Sequence, residues 1–278
     1  MNYVKACAFF FISLLGAFIN AAQFENTLLI INYNHAYYDS IPFLKELYAP
    51  YFSDIVFYGP EEHLDVTCCK HHEGFLSYIT IADAMEKNPE KNGYFFLMDD
   101  CILNAWLLEP LDTNRIWYSD IHSFTSTRGT PIQLNSGFKA YSSWSIWLTK
   151  WGYPAALNAF NNLPQSYKNQ LAQNWGEGNV VAAYSDLIYI PARLRTQFIE
   201  LAVLFHSHEL FLEIAVPTIA ACLEPKTQWL WLKGEGTERN NPCKTFKMKN
   251  YFHHPIKLSS LENQHVIREI FLSQKKDK

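Results

Sequence analysis

Two adjacent carboxylates, Asp99 and Asp100, close the apolar run Gly93-Tyr-Phe-Phe-Leu-Met98. Like charges side by side raise one another's pKa unless a cation or several donors compensate. A divalent cation does so most directly, and hard oxygen ligands suit Mn²⁺ or Mg²⁺ held against a diphosphate. Aspartate is also common in turns and at helix starts, so the pair alone fits a turn or a cap as readily as a site. Its position after a buried strand is what points to chemistry.

The elements around the pair supply that position. Thr27-Leu-Leu-Ile-Ile-Asn32 reads as a buried strand ending in the polar group Asn32, Asn34 and His35. Asp39 and Ser40 cap a helix from Ile41 to about Tyr51, with Pro42 in its first turn. Asp54-Ile-Val-Phe-Tyr58 is the next strand, closed by Gly59-Pro60. Gly74 to Lys87 has helical spacing of Phe75, Tyr78, Ile79, Ala82 and Met85, and Asn88-Pro89 ends it. Tyr94 to Met98 is then a third buried strand. Strand, helix, strand, helix, strand predicts an α/β sheet, with ligands at the carboxyl ends of the strands. Asn32, Asn34, Gly59, Asp99 and Asp100 all fall at such ends.

Beyond Asn104 the pattern weakens. Arg115 to Asn179 reads as loops and short strands with one helix near Ala155 to Ala172. Tyr184 to Ile190 returns to strand character. Arg193 to Leu223 reads as one long helical region that Pro217 kinks or breaks. Glu209 and Glu213 are four apart and would share a face of that helix. His206-Ser-His208-Glu209 lacks the His-Glu-x-x-His spacing of a zinc helix.

A net charge of -4 gives no basic face, so nucleic acid is not an expected partner. Lys5, the apolar stretch Ala6 to Ile19 and the small pair Ala21-Ala22 describe a secretory signal peptide or an uncleaved signal anchor over residues 1–22. Possible membrane anchoring is confined to residues 4–22, and a single globular domain fills 23–278. The expected location is the Golgi or ER lumen, or outside the cell. Five cysteines follow the signal, so at least one is left unpaired in an oxidising compartment.

The stretch Phe96-Leu-Met-Asp-Asp-Cys-Ile-Leu-Asn104, after a strand-helix-strand start, resembles the Asp-x-Asp region of GT-A glycosyltransferases. With the early Tyr58-Gly-Pro60, it is similar to the STELLO-like group of glycosyltransferases found in plants and nematodes. The resemblance implies a GT-A-like (Rossmann-like) mixed sheet flanked by helices. It implies transfer of a sugar from a nucleotide-sugar donor to a carbohydrate, protein or lipid acceptor with Mn²⁺ or Mg²⁺. Asp99 or Asp100 would contact the metal, because Cys101 stands where many such enzymes have a further Asp. Tyr251-Phe-His-His-Pro-Ile-Lys257 resembles their late metal-binding histidine element. It makes His253 or His254, with His254 preferred, a ligand and Lys257 a phosphate contact. Asn32 and Asn34, with Asp99, would bind the donor. Glu209 or Glu213 would be the general base, and Trp117, Trp144 or Trp147 an acceptor wall. A carbohydrate-binding or inactive transferase-like protein is the alternative that Cys101 keeps open. A metal-independent glycoside hydrolase using two carboxylates is a third.

Overall fold

The computed structural model describes residues 24–120, 130–134, 144–237 and 246–276. The signal segment, Ser126-Thr-Arg-Gly129 and Cys243 therefore lie outside the described residues. Thr27–Asn32 (β1), six buried residues rich in Ile and Leu, is an interior strand of the sheet. The chain continues through Ile41–Tyr48 (α1), Asp54–Gly59 (β2), Val66–Cys68 (β3), Tyr78–Lys87 (α2) and Gly93–Met98 (β4). β1 pairs parallel with β2 on one side and β4 on the other, and β3 extends parallel from β2. The connection from β1 to β2 steps one way across the sheet and that from β3 to β4 steps back. Right-handed crossovers therefore put α1 and α2 on opposite faces.

The second half comprises Ile102–Leu103 (β5), Trp117–Ser119 (β6), Thr130–Gln133 (β7), Tyr153–Asn162 (α3) and Gln165–Trp175 (α4). Asn179–Ala182 (β8), Leu187–Pro191 (β9), Arg195–Ser207 (α5) and Leu212–Leu223 (α6) follow. Leu230–Leu232 (β10), Gly234–Gly236 (β11), Phe252–His254 (β12) and Leu261–Lys276 (α7) complete the chain. β9 runs antiparallel to both β4 and β6, and β10 lies parallel to β6. The result is a seven-stranded mixed sheet in the order β10-β6-β9-β4-β1-β2-β3, the α/β architecture expected. α2, α4, α5 and α6 pack together in one layer, while α1 meets α7. No described helix is long and apolar enough to cross a membrane.

Three expectations are corrected. The region from Arg193 to Leu223 is two helices, and the break is at His208–Phe211 rather than at Pro217, which sits inside α6. Glu209 there has φ +52°, and Phe211 is held edge-on by Phe75 and Trp144, with ring centroids 5.0 and 5.6 Å away. The helix near Ala155 to Ala172 is also two, divided at Leu163-Pro164. Trp117 and Trp147 are buried, so neither is an exposed acceptor wall. Trp117 stacks on Tyr189 at 4.1 Å and meets Phe95 edge-on at 6.0 Å.

Gly93 opens β4 because Tyr189 occupies the space a side chain would need. A Cβ on Gly93 would lie 2.0 Å from the Tyr189 hydroxyl, which donates a 3.0 Å hydrogen bond to the Thr113 carbonyl. Gly93→Ala is expected to cost about 1–3 kcal/mol through overpacking. Thermal denaturation followed by circular dichroism should show a fall of several degrees.

Candidate functional site

Four segments meet at the carboxyl edge of the sheet. β4 delivers Asp99 and Asp100, and the Asp99 N–H donates to the Asn32 carbonyl at 3.0 Å, extending the β1–β4 ladder by one step. Because β9 is antiparallel to β4, it starts where β4 ends. The Met98 N–H donates to the Asp186 carbonyl at 2.9 Å, which fixes Asp186 beside the pair. Nothing in the local sequence around Asp186 marks it, and only the sheet order brings it in.

The third segment is β12. It pairs antiparallel with β5, with His253 opposite Ile102, and the Ile256 N–H donates to the Asp100 carbonyl at 2.7 Å. Successive strand side chains face opposite ways. His253 stacks on Phe246 at 3.8 Å with its Nε2 3.0 Å from the Lys247 carbonyl, so His254 is the one turned to the carboxylates.

The fourth segment is the first turn of α6, and Pro217 explains its placement. Proline has no N–H, so the carbonyl four residues earlier, that of Glu213, loses its intrahelical donor. That carbonyl accepts instead from the Ala183 N–H at 2.8 Å. The bond ties Glu213 to the segment that leads into Asp186. A residue read from sequence as a helix breaker serves here to dock the helix.

His254 Nε2 lies 3.1 Å from Asp100 Oδ1 and 3.9 Å from Asp186 Oδ1, and Lys257 Nζ lies 2.6 Å from Asp100 Oδ2. The side chains of Asp100, Asp186 and His254 keep 12%, 16% and 17% of their surface exposed. Burial and the Asp100 charge push the Asp99 carboxyl up to about 8. Burial and Asp186 push Glu213 to about 8 as well, and burial raises Asp186. Burial also works against the Asp100 carboxylate, but His254 and Lys257 outweigh it and hold Asp100 below the usual carboxylate range. His254 is raised, since Asp186 and Asp100 overcome the effect of burial. Four acids thus face one imidazole and one ammonium.

This imbalance fixes a pH dependence. The raised carboxyls of Asp99 and Glu213 hold protons in the fold that the unfolded chain has already released, from about pH 4.5 up to about 8. Stability of the ligand-free protein should therefore fall as pH rises through that window. Asp100 acts oppositely, and its contribution is lost only as pH drops below the unfolded carboxylate value. Melting temperatures between about pH 5.5 and 8.5 are expected to decline by several degrees, and Glu213→Gln should flatten the decline.

Other candidate residues lie elsewhere. Glu209, expected on one helix face with Glu213, sits in the break after α5, 2.7 Å from Lys150 and 3.8 Å from His72. It takes no part in the cluster. Arg193 pairs with Glu224 and donates to the Asn114 carbonyl, and Arg195 donates to the Met85 carbonyl. Cys101 is fully buried, and burial pushes its thiol up well above the ordinary value. Asn32 and Asn34 lie beside one another at the end of β1 with 3.5 Å between Nδ2 and Oδ1. Asn34 packs over Gly74, whose φ of +91° follows positive φ at His72 and Glu73. His71, missed in the sequence, accepts the Gly74 N–H at 2.8 Å on Nδ1. The buried Asn32 Oδ1 has no partner among the described residues. Likewise, no three acidic, imidazole or thiol groups among the described residues converge tightly enough to enclose a metal ion by themselves.

The mixed sheet and the acidic centre at its carboxyl edge define an α/β protein of GT-A-like architecture. No protein-family model matches the chain. Over 199 residues it is 25% identical to a protein of Arabidopsis thaliana named "Probable glycosyltransferase STELLO1". The match covers 70% of this chain but 24% of that protein, so the chain spans about a quarter of the curated relative it matches. The similarity agrees with the STELLO-like resemblance carried by Phe96 to Asn104.

Proposed function

We propose that the chain is a glycosyltransferase that moves a sugar from a nucleotide-sugar donor to a hydroxyl of a carbohydrate, protein or lipid acceptor. The observation that carries this reading is the convergence of Asp99, Asp100, Asp186 and Glu213 on His254 and Lys257 at the sheet's carboxyl edge. The donor set is oxygen-rich with one imidazole, and its excess negative charge suits Mn²⁺ or Mg²⁺. Such ions are held by one or two carboxylates together with substrate phosphates, which fits a centre that does not close around a metal alone. Asp99, Asp100 and His254 would hold the ion, which when bound supplies charge neutralisation for the leaving diphosphate. Asp186 offers, from the residue before β9, a carboxylate beside the buried Cys101.

The chain's own residues divide the remaining work. Lys257, with 40% of its side chain exposed, suits a phosphate oxygen. Asn32 and Asn34 at the end of β1 suit the base or ribose. Glu213, across from Asp186, would take the proton of the acceptor hydroxyl. The apolar segment within residues 4–22 suits a cleaved signal or an anchor, which would place the domain in the Golgi or ER lumen or outside the cell.

A screen of nucleotide sugars by thermal shift, with and without Mn²⁺, tests the binding half of this reading. A donor at about a hundred times its Kd should add about 2.7 kcal/mol, a rise of several degrees, that chelator removes. Absence of any shift across the common nucleotide sugars, or an equal shift with EDTA, would contradict it. The second reading, a binding protein without turnover, draws on the ion pairs that already engage both Asp100 oxygens. It keeps the thermal shift but leaves the donor unhydrolysed.

A further inference from the structure

A second feature lies at the far end of α6, roughly 16 Å along the helix from Glu213. It is a pocket of about 430 Å³ lined by Trp175, Lys226, Thr227, Trp229 and Trp231. Asn174 at the end of α4 sets its walls. The Asn174 amide donates to the carbonyls of Ala221 and Glu224 at 2.6 and 3.0 Å, and its oxygen accepts the Lys226 N–H at 2.8 Å. Trp175 is thereby brought beside Lys226, whose ammonium sits 3.8 Å from the centre of the indole. The rings of Trp229 and Trp231 lie 5.4 Å apart at 46°, and both meet Tyr118.

The polar groups of this pocket are nearly all donors. Trp229 is 3% exposed, and neither its indole N–H nor that of Trp175 has a partner among the described residues. Buried donors without a partner are uncommon in folded proteins. Among the described residues, no carboxylate pairs with Lys226. A cationic ligand would be repelled by Lys226, and a wholly apolar one would leave the indole donors unmet. The lining calls for a ligand with a flat apolar face, several acceptor oxygens and a negative charge. The volume falls in the range of small-molecule sites and is large enough for one or two sugar rings.

We propose that this pocket binds an acidic carbohydrate, a pyranose bearing a carboxylate, independently of the carboxylate centre. The ring lies against the half-buried indole of Trp231, its carboxylate meets Lys226, and its oxygens accept from the indole N–H groups of Trp175 and Trp229. Lys226, on a flexible four-carbon stem, moves off the Trp175 face to admit them.

Fluorescence titration of the full chain's tryptophans with tri-galacturonate and with a neutral galactose trisaccharide tests this. Tri-galacturonate should give a saturable change, with the neutral sugar about tenfold weaker. Lys226→Gln should weaken tri-galacturonate about tenfold, and Trp229→Phe, which keeps a ring and removes the donor, by about three- to tenfold. Asp100→Asn should leave it unchanged. Lys226 is partly exposed, so its variant keeps the test valid if Trp229→Phe fails to fold. No saturable change, equal affinity for both sugars, unchanged binding in Lys226→Gln, or loss in Asp100→Asn would each overturn the proposal.

Discussion

Asp100→Asn is expected to abolish cation-dependent binding of a nucleotide sugar while leaving the fold intact. The side chain is the meeting point of the centre, with His254 on one oxygen and Lys257 on the other. It is also the one carboxylate in the cluster that His254 and Lys257 hold below the usual carboxylate range, hence the one most readily ionised. The amide has the same shape but no charge, and loss of a ligand should weaken donor affinity on the order of 10²-fold or more. Titration calorimetry with Mn²⁺ present measures this, and circular dichroism checks the fold. Unchanged affinity in a folded Asp100→Asn protein would remove Asp100 from the site.

The second large effect is kinetic. Glu213→Gln should slow transfer by about 10² to 10⁴-fold if Glu213 takes the acceptor's proton, with donor affinity near the parent value. Melting temperature above about pH 8 should rise in the same variant, because the carboxyl that burial and Asp186 push to about 8 is no longer forced to ionise there. Glu209→Gln is the matching control. Glu209 is a surface partner of Lys150 and His72, and its loss should leave the rate within about twofold, as expected of an exposed pair. Equal losses in the two variants would contradict the geometry that separates them.

The strands that build the centre were legible because their cause is local. Thr27–Asn32, Asp54–Gly59 and Gly93–Met98 are short apolar runs bounded by polar or Gly-Pro stops, and each forms where its pattern predicts. The placement of Asp99 and Asp100 follows from them. What was not legible depends on pairing across the chain. Asp186 enters the site only because β9 turns antiparallel beside β4, 88 residues after Met98 by the numbering of the pair. The choice of His254 over His253 depends on which face of β12 meets β5, and that register is set by long-range hydrogen bonds. The helix over Arg193 to Leu223 failed for a similar reason. Its spacing is helical throughout, but aromatic contacts from Phe75 and Trp144 hold Phe211 in an extended conformation. Pro217 misled in the other direction. Its missing N–H is tolerated because Ala183 satisfies the freed carbonyl from outside the helix.

The aromatic richness divides the same way. Trp117 and Trp147 are core, as their burial requires. Trp175, Trp229 and Trp231 instead surround a pocket at the opposite end of α6, a grouping that no sequence period announces.

The most direct test is nucleotide release from a panel of nucleotide sugars by the purified chain, with Mn²⁺ and then with EDTA. Release from at least one donor that stops with chelator and disappears in Asp100→Asn is the expected result. No release from any donor, or glycoside cleavage that persists in EDTA and needs no nucleotide, would contradict the account.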